Sequence, residues 1–289
     1  MRFIALLLSA WVAFSVQAEE IKLNHQNITL NARLEQAAGK SLQEGVVLIL
    51  HGTLAHNGME IIAGLQERLK AKGFNTLAIN LSLGVDDRHG MYDCSVTNRH
   101  KHTDALAELA ACTRWLEGKG VNKIDLIGHS RGGNQIAWFA AEHAPKSLGK
   151  VVLVAPQTWS AQQHVAGYQK RYGKSLPELL ARVRQADADA LLGSVDFVYC
   201  ANSRVLASSF IDYYRDEPRF DTPSLIPAIK TPVMVIAAAS DEIVPGLIEK
   251  TQPLANAGKA KLLILEGADH FFRDLYSDDL ADAIDAFLK

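Results

Sequence analysis

The sequence is short of cysteine and carries no excess of charge of either sign. Its 289 residues include 3 Cys, and 30 basic residues are balanced by 32 acidic ones for a net charge of -2. Without a basic excess, the chain lacks the electrostatic signature of a nucleic-acid-binding protein. It has no internal repeat and no low-complexity tract, and no stretch after residue 18 is apolar for long enough to cross a bilayer. What is present is 48% hydrophobic residues, enough for one large domain with a proper core.

The first 18 residues have the pattern of a secretory signal peptide. Arg2 supplies a positive charge, residues 3–14 are apolar, and residues 16–18 resemble a small-residue cleavage site. A buried first helix or a membrane anchor are the alternatives, but the apolar run is shorter than a bilayer span. Because the first cysteine is Cys94, no lipidated cysteine can follow the signal. We therefore expect an exported mature chain of residues 19–289, either periplasmic or secreted.

Strand-like and helix-like stretches alternate along the mature chain, which is typical of an α/β fold with a mainly parallel sheet. Residues 46–50 and 151–155 are continuous apolar runs, as in strands buried on both faces of a sheet. Residues 21–34 read as an edge hairpin. The alternation of strand-like and helix-like stretches is interrupted over about 157–228, and we interpret this segment as a cap inserted between two strands of the sheet.

One motif carries most of the chemical information. A G-x-S-x-G sequence follows the apolar run 124–127 and leads into the helix-like stretch 135–143. Strand, G-x-S-x-G, helix is the pattern of a nucleophile elbow, in which a sharp turn exposes a Ser hydroxyl at the N-terminus of a helix. An ordinary turn is the alternative. The residues of the turn are Gly128, His129, Ser130, Arg131 and Gly132.

A serine hydroxyl needs a base to take its proton and an acid to orient that base. In this kind of fold the expected chain order is Ser, acid, His. Asp241 follows one late predicted strand, and His270 follows the last one. Taken alone, Asp241 could be a helix N-cap and His270 a surface or core histidine. Their chain order after Ser130, and the position of each residue after a predicted strand, favour a catalytic triad with Ser130. We prefer Asp241 to the adjacent Glu242, and we expect Asp269 to point away from His270.

An oxyanion formed at Ser130 needs two backbone N–H donors. One is expected from Arg131, the residue after the nucleophile. The other is expected from the loop after the strand that ends at Leu50, with Thr53 the first choice and Leu54 the second.

These residues together resemble the α/β-hydrolase family, over about residues 26–289. The motifs that carry the resemblance are His51-Gly52, the elbow, Asp241 and Gly267-Ala268-Asp269-His270. The resemblance implies an eight-stranded, mostly parallel sheet with helices on both faces and a cap after the sixth strand. It also implies hydrolysis through an acyl-enzyme on Ser130, with no cofactor and no catalytic metal. A serine in the elbow, rather than Asp or Cys, favours acyl transfer.

The leading functional hypothesis is an exported serine hydrolase that cleaves carboxylic esters of small molecules. The first alternative is an amide or peptide hydrolase, aminopeptidase-like, which would want a cap carboxylate such as Glu178 or Glu217 to hold a substrate amine. The second is an inactive binding protein of the same fold, because a fold alone does not fix function.

Two of the cysteines are candidates for a disulfide. Cys94 and Cys200 both fall in loop-like segments, and in an oxidising compartment they can pair, although spacing does not determine connectivity. Cys112 shares a predicted helical face with leucines and is expected to be a small buried hydrophobe.

Two further groups of residues have no assigned role. Seven possible metal ligands crowd one segment, but their spacing does not match a zinc pattern, and we interpret the segment as a solvated loop. These residues are Asp86, Asp87, His89, Asp93, His100, His102 and Asp104. Aromatic residues crowd the predicted cap, where they line a substrate pocket or form the cap's own core. These residues are Tyr168, Tyr172, Phe197, Tyr199, Phe210, Tyr213 and Tyr214.

Overall fold

The computed structural model describes residues 18–289. The predicted signal peptide therefore lies outside the described residues, except for Ala18. Within the part of the chain described, no helix is long and apolar enough to cross a membrane.

Eight strands form one sheet, and two more form a separate hairpin. The strands of the sheet are β1 (Glu19–His25), β2 (Ile28–Glu35), β3 (Val46–Leu50), β4 (Thr76–Asn80), β5 (Ile124–His129), β6 (Leu148–Val154), β9 (Val233–Ala238) and β10 (Lys261–Leu265). The hairpin strands are β7 (Leu191–Phe197) and β8 (Cys200–Leu206). In space the order of the large sheet is β1-β2-β4-β3-β5-β6-β9-β10. In the large sheet, neighbouring strands from β4 through β3, β5, β6 and β9 to β10 pair in parallel, whereas β2 pairs antiparallel with both β1 and β4.

Nine α-helices connect the strands in the described part of the chain. They are α1 (Glu60–Ala71), α2 (Asp104–Gly118), α3 (Arg131–Glu142), α4 (Ala161–Tyr172), α5 (Leu176–Val183), α6 (Ala207–Tyr214), α7 (Thr222–Leu225), α8 (Leu247–Asn256) and α9 (Leu275–Leu288). Helix α1 packs on α9, and α2 packs on α3. Every residue of β3, β4, β5 and β9 is buried, so both faces of the central sheet are covered. This is the mostly parallel, two-sided sheet that the sequence predicts.

Between β6 and β9 the chain leaves the sheet. Residues 155–232 contain α4, α5, the β7–β8 hairpin, α6 and α7. Phe197 and Phe210 are fully buried among the other aromatic side chains of this segment, which we call the insertion. The insertion thus has a small core of its own.

The insertion is fastened to the loop that joins β4 to α2, residues 81–103, which we call the long loop. Cys94 and Cys200 form a disulfide with their Cα atoms 5.3 Å apart. Asn98 adds backbone pairing with β8: its N–H donates to the Arg204 carbonyl at 2.8 Å, and its carbonyl accepts from the Leu206 N–H at 3.0 Å. The predicted Cys94–Cys200 disulfide is present, and Cys112 is free and buried as expected.

Candidate active site

The elbow is the point where β5 turns directly into α3. Ser130 has φ 57° and ψ -124°, a strained combination for a residue with a side chain, and its N–H donates to the Val154 carbonyl of β6 at 3.0 Å. Helix α3 begins at Arg131, four residues earlier than the apolar pattern indicates. A Cβ at Gly132 would collide with the carbonyl of His51, and one at Gly128 with the carbonyl of Gly132. Only glycine allows this close approach of strand and helix.

Asp241 and His270 are hydrogen-bonded to each other. The Nδ1 of His270 donates to Asp241 Oδ2 at 2.7 Å, and both side chains are only 5% exposed. Burial opposes ionisation of Asp241, but bonds from His270 and from the N–H groups of Ile243 and Val244 outweigh it, so the Asp241 pKa lies below its ordinary value. The carboxylate is therefore ionised at neutral pH, which fixes the tautomer of His270.

The two neighbouring carboxylates point elsewhere. Glu242 is exposed, and Asp269 accepts from Arg273 at 3.2 Å and from the Phe271 N–H at 2.9 Å. Neither hydrogen-bonds to His270. The geometry thus pairs His270 with Asp241.

His129 connects the elbow to the histidine loop. Its Nε2 donates to the carbonyl of His270 at 2.9 Å, and the two imidazole rings are 4.8 Å apart. Burial lowers the His129 pKa to about 3, so this ring is neutral. Because His129 precedes Ser130 directly, the bond ties the backbone of the His270 loop to the elbow, although no hydrogen bond joins the Ser130 and His270 side chains in the described residues. Ser130, Asp241 and His270 follow β5, β9 and β10, at the carboxyl edge of the sheet where sites of open α/β sheets lie.

The loop after β3 lies against the elbow from the other side. A Cβ at Gly52 would be 3.1 Å from the Cβ of Ser130. Thr53 lines the same cavity as Ser130, and its Oγ1 accepts from Arg131 Nε at 3.0 Å. Leu54, the second choice for the oxyanion donor, is buried with φ 54°.

Buried His51 and Arg88 support this loop. His51 Nδ1 donates to the Gly52 carbonyl at 2.8 Å, while its Nε2 accepts from the Leu81 N–H at 3.1 Å. Arg88 donates from Nη2 to the Ala55 carbonyl and to Asn80 Oδ1, each at 2.8 Å. No sequence pattern pointed to Arg88, because its partners Ala55 and Asn80 come from separate segments of the chain.

The interpretation of the ligand-rich segment as a solvated loop is wrong for two of its seven residues, His100 and His102, whereas Asp86, His89, Asp93 and Asp104 are exposed. Arg88, His100 and His102 are all buried. The two histidines are buried because the insertion covers this end of the long loop: His100 Nδ1 hydrogen-bonds to the Tyr213 hydroxyl at 2.9 Å, and the His102 N–H donates to Asp212 at 2.7 Å. Tertiary contacts from more than a hundred residues away override the polar character of the loop.

One group of three possible metal ligands is found among residues 18–289. Glu20, Asp87 and His89 lie at the surface with their ligand atoms within 4.8 Å of one another. Asp87 is already paired with Lys22 at 2.5 Å, and His89 with Glu20 at 2.9 Å. This group does not line the cavity at Ser130.

Ser130 opens into a cavity of about 390 Å³ between the sheet edge and the insertion, which we call the main cavity. Trp159, Tyr199, Tyr213 and Phe220 contribute its aromatic walls. The cap aromatics therefore divide between the two predicted roles, because Phe197 and Phe210 are core while Tyr199 and Tyr213 line the cavity.

The cap carboxylates considered for an amine site are not in the main cavity. Glu217 is engaged with Arg219 at 2.8 Å and Arg215 at 3.3 Å, and Glu178 is exposed in α5. Glu242 is the one carboxylate among residues 18–289 that lines the main cavity.

Fold and site together define an alpha/beta hydrolase. The sequence profile of the alpha/beta hydrolase family matches residues 46–283, and the chain belongs to that family. No curated protein matches the chain by sequence.

Solved structures share the fold at low sequence identity. Est1E from Butyrivibrio proteoclasticus, solved with ferulic acid, is 19% identical over 92% of this chain and 97% of its own, with a TM-score of 0.66. The Pyrococcus furiosus esterase Pf2001 is 17% identical over 98% and 94%, with a TM-score of 0.62. An alpha-beta serine hydrolase homologue from Coxiella burnetii is 17% identical over 97% and 100%, with a TM-score of 0.60.

Proposed function

We propose that the protein is a serine hydrolase that cleaves carboxylic esters of small molecules through an acyl-enzyme on Ser130. The observation that carries the proposal is the Asp241–His270 pair, whose loop is bonded through His129 to the elbow of a strained serine that opens into a cavity. The esterases among the structures of similar fold are consistent with it.

In the proposed reaction, Ser130 Oγ attacks the ester carbonyl carbon while His270 Nε2 takes the hydroxyl proton. Asp241 stabilises the resulting imidazolium. The backbone N–H groups of Thr53 and Arg131 hold the oxyanion. When the tetrahedral adduct collapses, the C–O bond to the alcohol breaks and the alcohol takes the proton from His270. Water then attacks the acyl-enzyme by the same steps and releases the acid.

An ester is preferred over an amide or peptide because neither cap carboxylate considered for an amine reaches the main cavity, whose one carboxylate among residues 18–289 is the exposed Glu242 outside the cap. Glu217 is committed to two arginines, and Glu178 lies outside the cavity. The amide hydrolase remains the second candidate, and matched 4-nitrophenyl acetate and 4-nitroacetanilide separate the two.

We also propose that the protein works outside the cytoplasm. The support is the signal-peptide pattern of residues 1–18 together with the Cys94–Cys200 disulfide, since disulfides persist mainly in oxidising compartments.

Intact-mass labelling with a fluorophosphonate tests the catalytic proposal. We expect one adduct on the wild type and none on Ser130→Ala. The matched control is Ser160→Ala, which removes another serine of the same cavity and should still be labelled. A folded wild type without an adduct would contradict the proposal and favour the inactive binding protein.

A further inference from the structure

Besides the backbone N–H expected to hold the oxyanion, Arg131 has a side chain that contacts several neighbouring segments. Its Nε donates to Thr53 Oγ1 at 3.0 Å, and its Nη1 to His102 Nδ1 at 3.1 Å. The guanidinium also lies over the ring of Tyr213, 5.2 Å from the centroid. Its Nη2 has no hydrogen-bond partner within residues 18–289. The group is half-buried and points away from the sheet, into the space under the insertion.

None of these partners carries a negative charge. Burial, followed by the charge of Arg131 itself, holds the His102 pKa well below its ordinary value, so the ring is neutral. Burial raises the Tyr213 pKa, so the phenol is neutral as well. No carboxylate of the described chain forms an ion pair with Arg131, whereas the nearby Arg215 and Arg219 each pair with acids. A half-buried guanidinium that has no carboxylate partner in the described chain is available to bind the anionic group of a ligand.

A second cavity shows where such an anion fits. It has a volume of about 180 Å³ and shares Arg131, His164, Tyr199 and Tyr213 with the main cavity. We call it the side cavity. Arg171 lines it too, with its guanidinium 4.2 Å from the ring centroid of Tyr199, and no carboxylate of residues 18–289 does. His164 adds no charge, because burial lowers its pKa to about 4.

Besides Gln163, Gly167 and Val198, the remaining walls of the side cavity are tyrosine rings whose hydroxyls are already engaged by the protein. Tyr168 and Tyr172 donate to the carbonyls of Asp196 and Val198, at 2.9 and 2.8 Å. Tyr214 accepts from the Val198 N–H at 2.7 Å. The rings therefore offer apolar surface, and the guanidinium is the polar anchor. A cavity with aromatic walls and the guanidiniums of Arg131 and Arg171 suits a chain or ring that ends in a carboxylate, which an arginine can bind through two parallel hydrogen bonds.

We propose that the substrate is an ester bearing a free carboxylate, and that Arg131 selects it by binding this carboxylate in the side cavity. The inference rests on the proposed ester hydrolysis and names its substrate class. Arg131 thereby has two roles: its N–H serves the oxyanion, and its side chain determines specificity.

The test compares charged esters with neutral esters of the same size. One pair carries the charge on the acyl side, mono(4-nitrophenyl) adipate against 4-nitrophenyl methyl adipate. The other carries it on the alcohol side, 3-acetoxybenzoate against its methyl ester. In at least one pair we expect the wild type to favour the charged ester in kcat/KM by roughly 10- to 100-fold, the range for a hydrogen bond to a charged group. Equal rates in both pairs would overturn the inference while leaving ester hydrolysis intact.

Variants of Arg131 test whether this residue causes the preference for the charged ester. Arg131→Met should abolish it, and Arg131→Lys, which keeps the charge but not the fork, should retain part of it. The matched control is Arg114→Met, which removes the same charge from the exposed face of α2 and should leave the ratio unchanged. If Arg131 only bridged Thr53 and His102, Arg131→Met would slow both members of a pair equally, and that result would contradict the proposal.

A binding measurement keeps this inference separate from catalysis. Calorimetric titration of Ser130→Ala with the same pairs should show tighter binding of the charged ester, and Arg131→Met in that background should remove the difference. If the wild type hydrolysed no ester, this preference would still support an acid-binding cavity. Equal binding, or none, would overturn it.

Discussion

At the scale of single residues, two aspartates close to His270 allow a matched test of the triad. Asp241 accepts the Nδ1 proton of His270, whereas Asp269, adjacent in sequence, turns outward to Arg273. We predict that Asp241→Asn lowers kcat by roughly 10³- to 10⁴-fold, because the imidazole loses the partner that fixes its tautomer and stabilises its charge. Steady-state ester kinetics and the rate of fluorophosphonate labelling measure the effect.

Asp269→Asn is the control for that prediction. It removes the same charge one residue away from the imidazole but no bond to it, and we expect activity within about twofold of the wild type, as for surface substitutions in general. Comparable losses in the two variants would mean that the loop, and not the Asp241–His270 bond, supports the reaction.

At the scale of elements, the contact between the long loop and the β7–β8 hairpin is held by the disulfide, whose cysteines are separated by 106 residues. We predict that Cys94→Ala/Cys200→Ala lowers the free energy of unfolding by about 2–4 kcal/mol, because the unfolded chain regains the freedom of a large closed loop. KM should rise more than kcat falls, since Tyr199, next to Cys200, lines both cavities while the triad lies on the sheet.

Urea unfolding with and without dithiothreitol measures the effect of the disulfide. Reduction should bring the wild type to the stability of the double variant and leave the double variant unchanged. A wild type whose unfolding is insensitive to reductant would show that the hairpin is held by the Asn98 backbone bonds and side-chain packing alone.

The elements that the sequence could predict are those whose signals are local. Continuous apolar runs marked strands of the sheet, and Ser130, Asp241 and His270 lie within five residues of the ends of three of them. The environment of Arg131 could not be predicted in the same way. His102 lies 29 residues before it and Tyr213 82 residues after it, and tertiary contacts between the long loop, α3 and the insertion bring the three together.

At the scale of the whole molecule, one buried acid beneath the long loop couples pH to global stability. Glu108 of α2 accepts hydrogen bonds from the N–H and hydroxyl of Ser82, where the long loop leaves β4. Burial raises its pKa from 4.5 to about 7, against the opposing effects of Ser82 and of nearby Arg88. The folded protein therefore holds a proton on Glu108 over a pH range in which the unfolded chain has lost it.

The sign of the pH dependence follows from that difference. A carboxyl whose folded pKa is raised makes the free energy of unfolding fall as pH rises from about 4.5 to about 7, and adds no further change above that window. We predict that the free energy of unfolding of Glu108→Gln, relative to that of the wild type, increases by about 3 kcal/mol from the low to the high end of this pH range. This is the free energy equivalent to the shift in pKa. Urea unfolding at a series of pH values measures it, and titration of the other carboxyls cancels between the two proteins.

The control is Glu117→Gln, which replaces an exposed acid of the same helix and should follow the wild-type profile. Parallel profiles for wild type and Glu108→Gln would mean that Glu108 is ionised in the folded protein, stabilised by Arg88 beyond what its burial costs.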